Sequence, residues 1–216
     1  MKLFEGLFDG SVATAETLLD GECPPLLPEE AVAVRGAVAG RQREFAFGRF
    51  CARVAMSRIG QQALAVPMGS DRAPIWPAGL VGSITHSRTH CAAAVAATSD
   101  GVLSIGIDLE EATPLELDLE VEICTASERR WLAAKPDVER GLYLKAIFCA
   151  KESAYKCQYP VSRQLIGFDA IGIELDVDSG TFAATFEQDV LPYRAGERLS
   201  GRIRFAVGHI ATAVVV

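Results

Sequence analysis

Phe50-Cys51-Ala52-Arg53 returns ninety-eight positions later, almost unchanged, as Phe148-Cys149-Ala150-Lys151 in a chain of 216 residues. Each copy lies inside a stretch patterned as a helix, and apolar stretches patterned as strands follow each of them. Four similar residues can coincide by chance. Together with the matching order of helix and strands, the spacing predicts an α+β protein built from two similar halves of about 105 residues, each near the usual size of a small domain.

The local signals place these elements. Pro28-Glu29-Glu30 starts a helix over 28–60 that Gly60 stops and that breaks near Gly40. A loop over 66–79 holds Pro67, Gly69, Pro74 and Pro77. Strands are predicted over 81–85, 91–98 and 102–109, helices over 128–134 and 143–159, and strands over 171–177, 181–186 and 202–216. Residues 114–122 alternate leucine with acid and fit either pattern.

Several function classes are excluded. Half the residues are hydrophobic and 23% are charged, too apolar a balance for a disordered chain. The longest apolar runs, 91–98 and 210–216, fall far short of the ~20 residues of a membrane helix. Acids at Glu5 and Asp9 stand where an export signal needs positive charge. The six cysteines form no Cys-x-x-Cys pair, which points to a reduced, cytoplasmic protein, and with three histidines a metal centre must draw on carboxylates. Net charge is −7, against nucleic acid as a partner. Yet residues 35–88 carry eight arginines against two acids, a balance suited to a small polyanion, or equally to a solvated helix face.

Three groups of residues could carry chemistry. On a strand through Ser104-Ile105-Gly106-Ile107-Asp108-Leu109-Glu110, Asp108 and Glu110 share one face, and the small Ser104 and Gly106 on that face leave room for a ligand. Paired carboxylates suit a hard divalent ion; the same pattern also describes a strand running out into solvent. On the second helix, Glu152 and Lys156 lie one turn apart, as in many plain surface pairs, but among Ala, Cys, Phe and Tyr that mark a buried helix where charges need partners. In Gly82-Ser83-Ile84-Thr85-His86-Ser87, followed by Arg88, hydroxyls and an imidazole suit phosphate oxygens or a purely structural bonding role. His90 and Cys91 are assigned to packing.

Gly-Ser-Ile-Thr-His-Ser, Gly-Ile-Asp-Leu-Glu and Phe-Cys-Ala-Lys-Glu-Ser-Ala-Tyr-Lys, in this order, closely resemble the 4′-phosphopantetheinyl transferase superfamily. The surfactin-type enzymes, and within them the siderophore-synthase (enterobactin) branch, are matched further by Arg41-Gln42-Arg43-Glu44-Phe45, Gly48-Arg49-Phe50-Cys51-Ala52-Arg53, Arg72-Ala73-Pro74-Ile75-Trp76-Pro77 and Lys156-Cys157-Gln158-Tyr159-Pro160. The resemblance covers about residues 28–168.

It implies two α/β subdomains related by a pseudo-twofold axis, here residues 1–106 (basic, coenzyme A-binding) and 107–216 (metal-binding and catalytic), with the active site in the cleft between them. It implies magnesium-dependent transfer of 4′-phosphopantetheine from coenzyme A to a serine of an apo carrier protein, releasing adenosine 3′,5′-bisphosphate, by a monomer. Asp108, Glu110 and Glu152 match the family's metal-binding acids. Glu152 is the candidate to take the serine proton, directly or through a metal-bound water, and Lys156 the group at the phosphates. Arg41 and Arg49 match positions that contact coenzyme A, and Thr85 with His86 the 3′-phosphate group. Arg72 and Asp108 border the coenzyme, Arg72 replacing the charge of a lysine that some relatives carry where this chain has Met68; Arg53 and Lys151 are adjacent, as further coenzyme contacts or as structural residues. A magnesium-dependent hydrolase of a nucleoside diphosphate-like substrate, or a non-catalytic coenzyme A-binding module, would use many of the same residues.

Overall fold

The computed structural model describes residues 2–216. Two antiparallel sheets, each backed by one long helix, account for most of the chain. In the first, strands β1 (Val12–Leu18), β2 (Leu80–His86) and β3 (His90–Ala97) are ordered β1-β3-β2, with β3 central. The short helix α1 (Pro28–Ala31) leads to α2 (Ala39–Arg58), which packs on this sheet through Phe47, Cys51, Ala52, Ala55 and Met56. The second sheet runs β4-β8-β7-β6-β5, from β4 (Ile105–Glu111), β5 (Ile171–Asp176), β6 (Thr181–Phe186), β7 (Arg198–Ala206) and β8 (His209–Val215). Helices α3 (Glu120–Ile123), α4 (Ala126–Ala133) and α5 (Asp137–Ser162) follow β4, and α5 packs across the sheet through Leu144, Ile147, Ala150 and Ala154.

A third apolar layer joins the sheets. Ala92, Ala94 and Ala96 of β3 and Ile105, Ile107 and Leu109 of β4 meet there, closed by Leu3, Phe4 and Leu7. Period-2 alternation makes this possible, because Cys91, Ala93 and Val95 on the other face of β3 remain for α2. The Ile107 N–H donates to the Ser83 hydroxyl at 3.1 Å, so β2 and β4 lie side by side where the two halves meet.

The sequence echo has a physical counterpart. Arg53 on α2 donates to the fully buried Glu30 carboxylate at 2.5 Å, and Lys151 on α5 pairs with the buried Glu128 at 2.9 Å. Glu30 and Glu128 are separated by the same ninety-eight positions as the two bases. Each glutamate sits in the first turn of its helix and accepts the N–H three residues back, Leu27 for Glu30 (3.0 Å) and Thr125 for Glu128 (2.5 Å). Each also takes a distant N–H, Val66 in one case and Ile173 in the other. The neighbouring thiols match as well: Cys51 Sγ donates to the Cys91 carbonyl and Cys149 Sγ to the Ile210 carbonyl, on the equivalent strands β3 and β8.

The structure corrects several expectations. The helix over 28–60 breaks earlier than Gly40: a left-handed Gly36 (φ 85°) turns the chain, and Gly40 lies inside α2. The strand over 202–216 is two, β7 and β8, folded back at Val207-Gly208, both at positive φ. β1 was not foreseen, and α5 extends beyond 143–159 at both ends. Residues 114–122 hold a 3₁₀ turn at Leu117–Leu119 and the start of α3. The space at Ser104 and Gly106 is filled by α5, not by a ligand. A Cβ at Gly106 would lie 1.8 Å from the Ser153 carbonyl oxygen, and the Ser104 hydroxyl donates to the Cys157 carbonyl at 2.6 Å.

Two predictions follow from this packing. Gly106→Ala must push α5 off β4 and is expected to cost roughly 3 kcal/mol in denaturant unfolding; an unchanged midpoint would refute the close approach. Lys151→Met leaves Glu128 charged and buried without its base, an expected loss of about 3–5 kcal/mol. If Lys151 instead served the coenzyme, the variant would keep its stability and raise the KM for coenzyme A.

Candidate active site

Two β4 residues and the middle of α5 build a charged cluster beside β2. Asp108 is 4% exposed. Its Oδ1 accepts from Lys156 Nζ at 2.6 Å and from the Thr85 hydroxyl at 3.1 Å, so one carboxylate oxygen is held from both halves of the molecule. Its Oδ2 is buried with no hydrogen-bond partner among the described residues. One step along the same strand face, Glu110 Oε2 accepts from Lys145 Nζ at 3.1 Å. Lys145, Glu152 and Lys156 recur at seven and four residues on α5, which puts them on the helix face turned to β4. Lys145 was not anticipated, although this spacing was visible in the sequence.

The electrostatics follow from burial and proximity. Burial, chiefly, raises the Glu152 carboxyl above its ordinary range; Asp108 and Glu110 add to the rise while Lys156 opposes it. Glu110 is raised for the same first reason, with Asp108 adding and Lys145 opposing. Burial by itself pulls the Lys156 ammonium down, but Asp108 and Glu152 outweigh it and the net direction is up. Among the described residues no three acid, histidine or cysteine side chains are gathered closely enough to hold a metal ion as they stand. Of the three acids expected as a ligand set, Asp108 and Glu110 share a face of β4 and each carries a lysine, while Glu152 comes from α5.

The anion-binding candidates divide. Arg41 is exposed; its NH1 lies 3.3 Å from both His86 Nε2 and Glu44 Oε2. Burial, then Arg41 and Lys156, lower the His86 pKa, against Glu44. The Thr85 and His86 side chains point apart, as neighbouring strand residues do: Thr85 meets Asp108 and His86 meets Arg41. Arg49 is buried over the Phe45 ring (3.8 Å) and, among the described residues, bonds only the Val66 carbonyl, through Nε at 2.8 Å; burial, partly offset by Glu30, lowers its pKa to about 10. Arg53 and Lys151 are occupied by Glu30 and Glu128, and Lys151 also donates to the Phe168 carbonyl at 2.6 Å, so neither joins the cluster.

Arg72 sits at the tip of the 66–79 loop at φ 67°. That loop is tied to α5 by the Tyr159 hydroxyl, which donates to Asp71 Oδ2 at 2.9 Å. Glu152 also borders a pocket of about 200 Å³, lined with it by Lys151, Tyr155, Ile166, Phe168 and Ile171. Tyr155, Ile166, Phe168 and Ile171 were missed because they come together only when the chain after α5 folds back on it.

Comparison with known proteins adds the family. Residues 29–96 match the 4'-phosphopantetheinyl transferase N-terminal domain, and residues 104–209 the 4'-phosphopantetheinyl transferase superfamily. The 4'-phosphopantetheinyl transferase Svp of Streptomyces mobaraensis is 39% identical over 198 residues, 88% of this chain and 78% of Svp. The chain belongs to the 4′-phosphopantetheinyl transferase superfamily.

The transferase Npt of Nocardia iowensis is 32% identical over 223 residues, covering 98% of this chain and 99% of Npt. Enterobactin synthase component D of Salmonella typhi is 34% identical over 146 residues, 65% of this chain and 57% of that protein, in keeping with the branch the motifs resemble. The protein is thus a 4′-phosphopantetheinyl transferase, an enzyme that modifies carrier proteins. No helix among its described residues is long and apolar enough to cross a membrane.

In this transferase the raised Glu152 and Glu110 carboxyls mean that the folded state holds their charge at a cost. That cost is present above their raised pKa values and vanishes below the ordinary carboxylate range, where both folded and unfolded forms are protonated. Glu152→Gln should therefore melt at a higher temperature than the parent at neutral pH, without metal, and the difference should shrink to nothing by about pH 4. A lower melting temperature at neutral pH would contradict the assignment.

Proposed function

We propose that the Asp108–Glu110–Glu152–Lys156 cluster carries out the transfer, and that Asp108 Oδ2 is the observation on which this rests. A buried carboxylate oxygen without a partner is costly. A hard cation satisfies it, and all three acids offer oxygen donors of the kind magnesium takes. By donor type Asp108, Glu110 and Glu152 fit the ion and would hold it once they close around it, because as they stand no three of the described side chains are gathered closely enough. When bound, it supplies Lewis-acid polarisation of the pyrophosphate oxygens.

The other steps belong to side chains. Coenzyme A lies in the cleft between the two halves, whose boundary falls before β4 and not within it at 106/107, with neither half active alone. The Arg41–His86 pair and Arg49 bind its phosphate groups, a phosphate there adding to the negative charge that Glu44 already brings to His86. Arg72, on the exposed loop tip, adds a further positive charge. The pocket beside Glu152 takes the pantetheine arm, with Ile166, Phe168 and Ile171 along its walls together with Lys151, whose charge is already paired with Glu128.

Glu152, already displaced toward neutral pH by burial, accepts the proton of the carrier serine. The serine oxygen then bonds to the phosphorus that bears pantetheine, and the bond from that phosphorus to the bridging oxygen breaks. Adenosine 3′,5′-bisphosphate leaves. Lys156, oriented by Asp108, stabilises the charge that develops on the phosphoryl oxygens. Five buried free thiols support a reducing, cytoplasmic setting.

Mass spectrometry of apo carrier proteins incubated with the enzyme, coenzyme A and magnesium tests the reading. The carrier is expected to gain one phosphopantetheine arm, and Asp108→Ala to lower the rate by a factor of about 10² or more. Release of adenosine 3′,5′-bisphosphate from coenzyme A without a carrier would identify a hydrolase instead. Full carrier modification by Asp108→Ala would remove the proposed cluster from the mechanism.

A further inference from the structure

Lys145 has no part in the reaction proposed above, yet it is set firmly in the cluster. Its side chain is 12% exposed, and its ammonium lies 3.1 Å from Glu110 Oε2. Lys156 holds Asp108 Oδ1 in the same way. Three carboxylates and two ammonium groups therefore leave the cluster with a net charge near −1. That is little attraction for a doubly charged ion that must also shed part of its water. An ion taking both oxygens of Glu110 would in addition strip a mostly buried lysine of its partner, which is costly.

A pyrophosphate changes this balance, because it brings negative charge and further oxygen donors to the ion. We propose that Lys145 makes cation binding conditional on the phosphorylated substrate: it keeps the acid cluster nearly balanced by itself, so that the divalent ion is held firmly only together with coenzyme A. The inference rests on the reading of Asp108, Glu110 and Glu152 as a cation site. Its counterpart follows by linkage, since an ion that is bound more tightly with coenzyme A must tighten coenzyme A by the same factor.

Free manganese can be counted by its paramagnetic resonance signal during titration of the full chain, with and without coenzyme A and with coenzyme A alone as the blank. For the parent protein, coenzyme A is expected to tighten manganese binding at least tenfold. Lys145→Met removes a positive charge beside the ion, so it should bind manganese about tenfold more tightly than the parent when coenzyme A is absent. It should also lose most of the coupling. Lys145→Gln, which can still hydrogen-bond Glu110, should behave like Lys145→Met, and Lys145→Arg like the parent.

Thermal melting of each variant reports its folding, and Lys145→Gln serves if Lys145→Met does not fold. Equal or weaker manganese binding by a folded, uncharged variant would overturn the role of Lys145 while leaving the cation site in place. No manganese binding by the parent protein under either condition would overturn the cation site and this inference with it.

Discussion

Asp108 is the point at which the two halves become one machine. Its Oδ1 is gripped by Thr85 from the first sheet and by Lys156 from the helix of the second. A carboxylate that buried is tolerable only when it is paired, and each of these partners comes from a different part of the chain. The alignment of β2 with β4 is therefore both a packing arrangement and the means of holding an acid between the two halves. The apolar layer between β3 and β4 fixes that alignment, so errors in the core would be felt at the site.

The same device is used twice to build the scaffold. In each half a helix-starting glutamate is buried and satisfied by two backbone N–H groups and one base from the long helix. Such an ion pair adds little net stability but is expensive to break, so it holds the register of the short helix against the long one. This explains why Arg53 and Lys151, which border the motif residues in sequence, belong to the framework. Charge in the motif neighbourhood is not by itself evidence of contact with substrate.

The echo, the order of the elements and the shared face of Asp108 and Glu110 were legible because they rest on local periodicity, which survives in any packing of the chain. The stripe of Lys145, Glu152 and Lys156 was legible for the same reason, but a lysine among helical charges has no partner until β4 is placed opposite. Ser104 and Gly106 show the limit. Small residues announce that something approaches closely, and only the tertiary structure tells that it is the backbone of α5. Thr85 and His86, adjacent in the motif, were treated as one group, and the alternation of the strand points their side chains apart.

By itself the sequence determined the two-half α+β plan and the family, and set Asp108 and Glu110 on one strand face, since each depends on residue type and spacing along the chain. The tertiary structure decided which charges face one another: Lys156 on Asp108, Lys145 on Glu110, Arg53 on Glu30 and Lys151 on Glu128. Those choices are made over separations of 23 to 48 residues. Partners so far apart in the chain are selected by the geometry of packed layers, which no local pattern encodes.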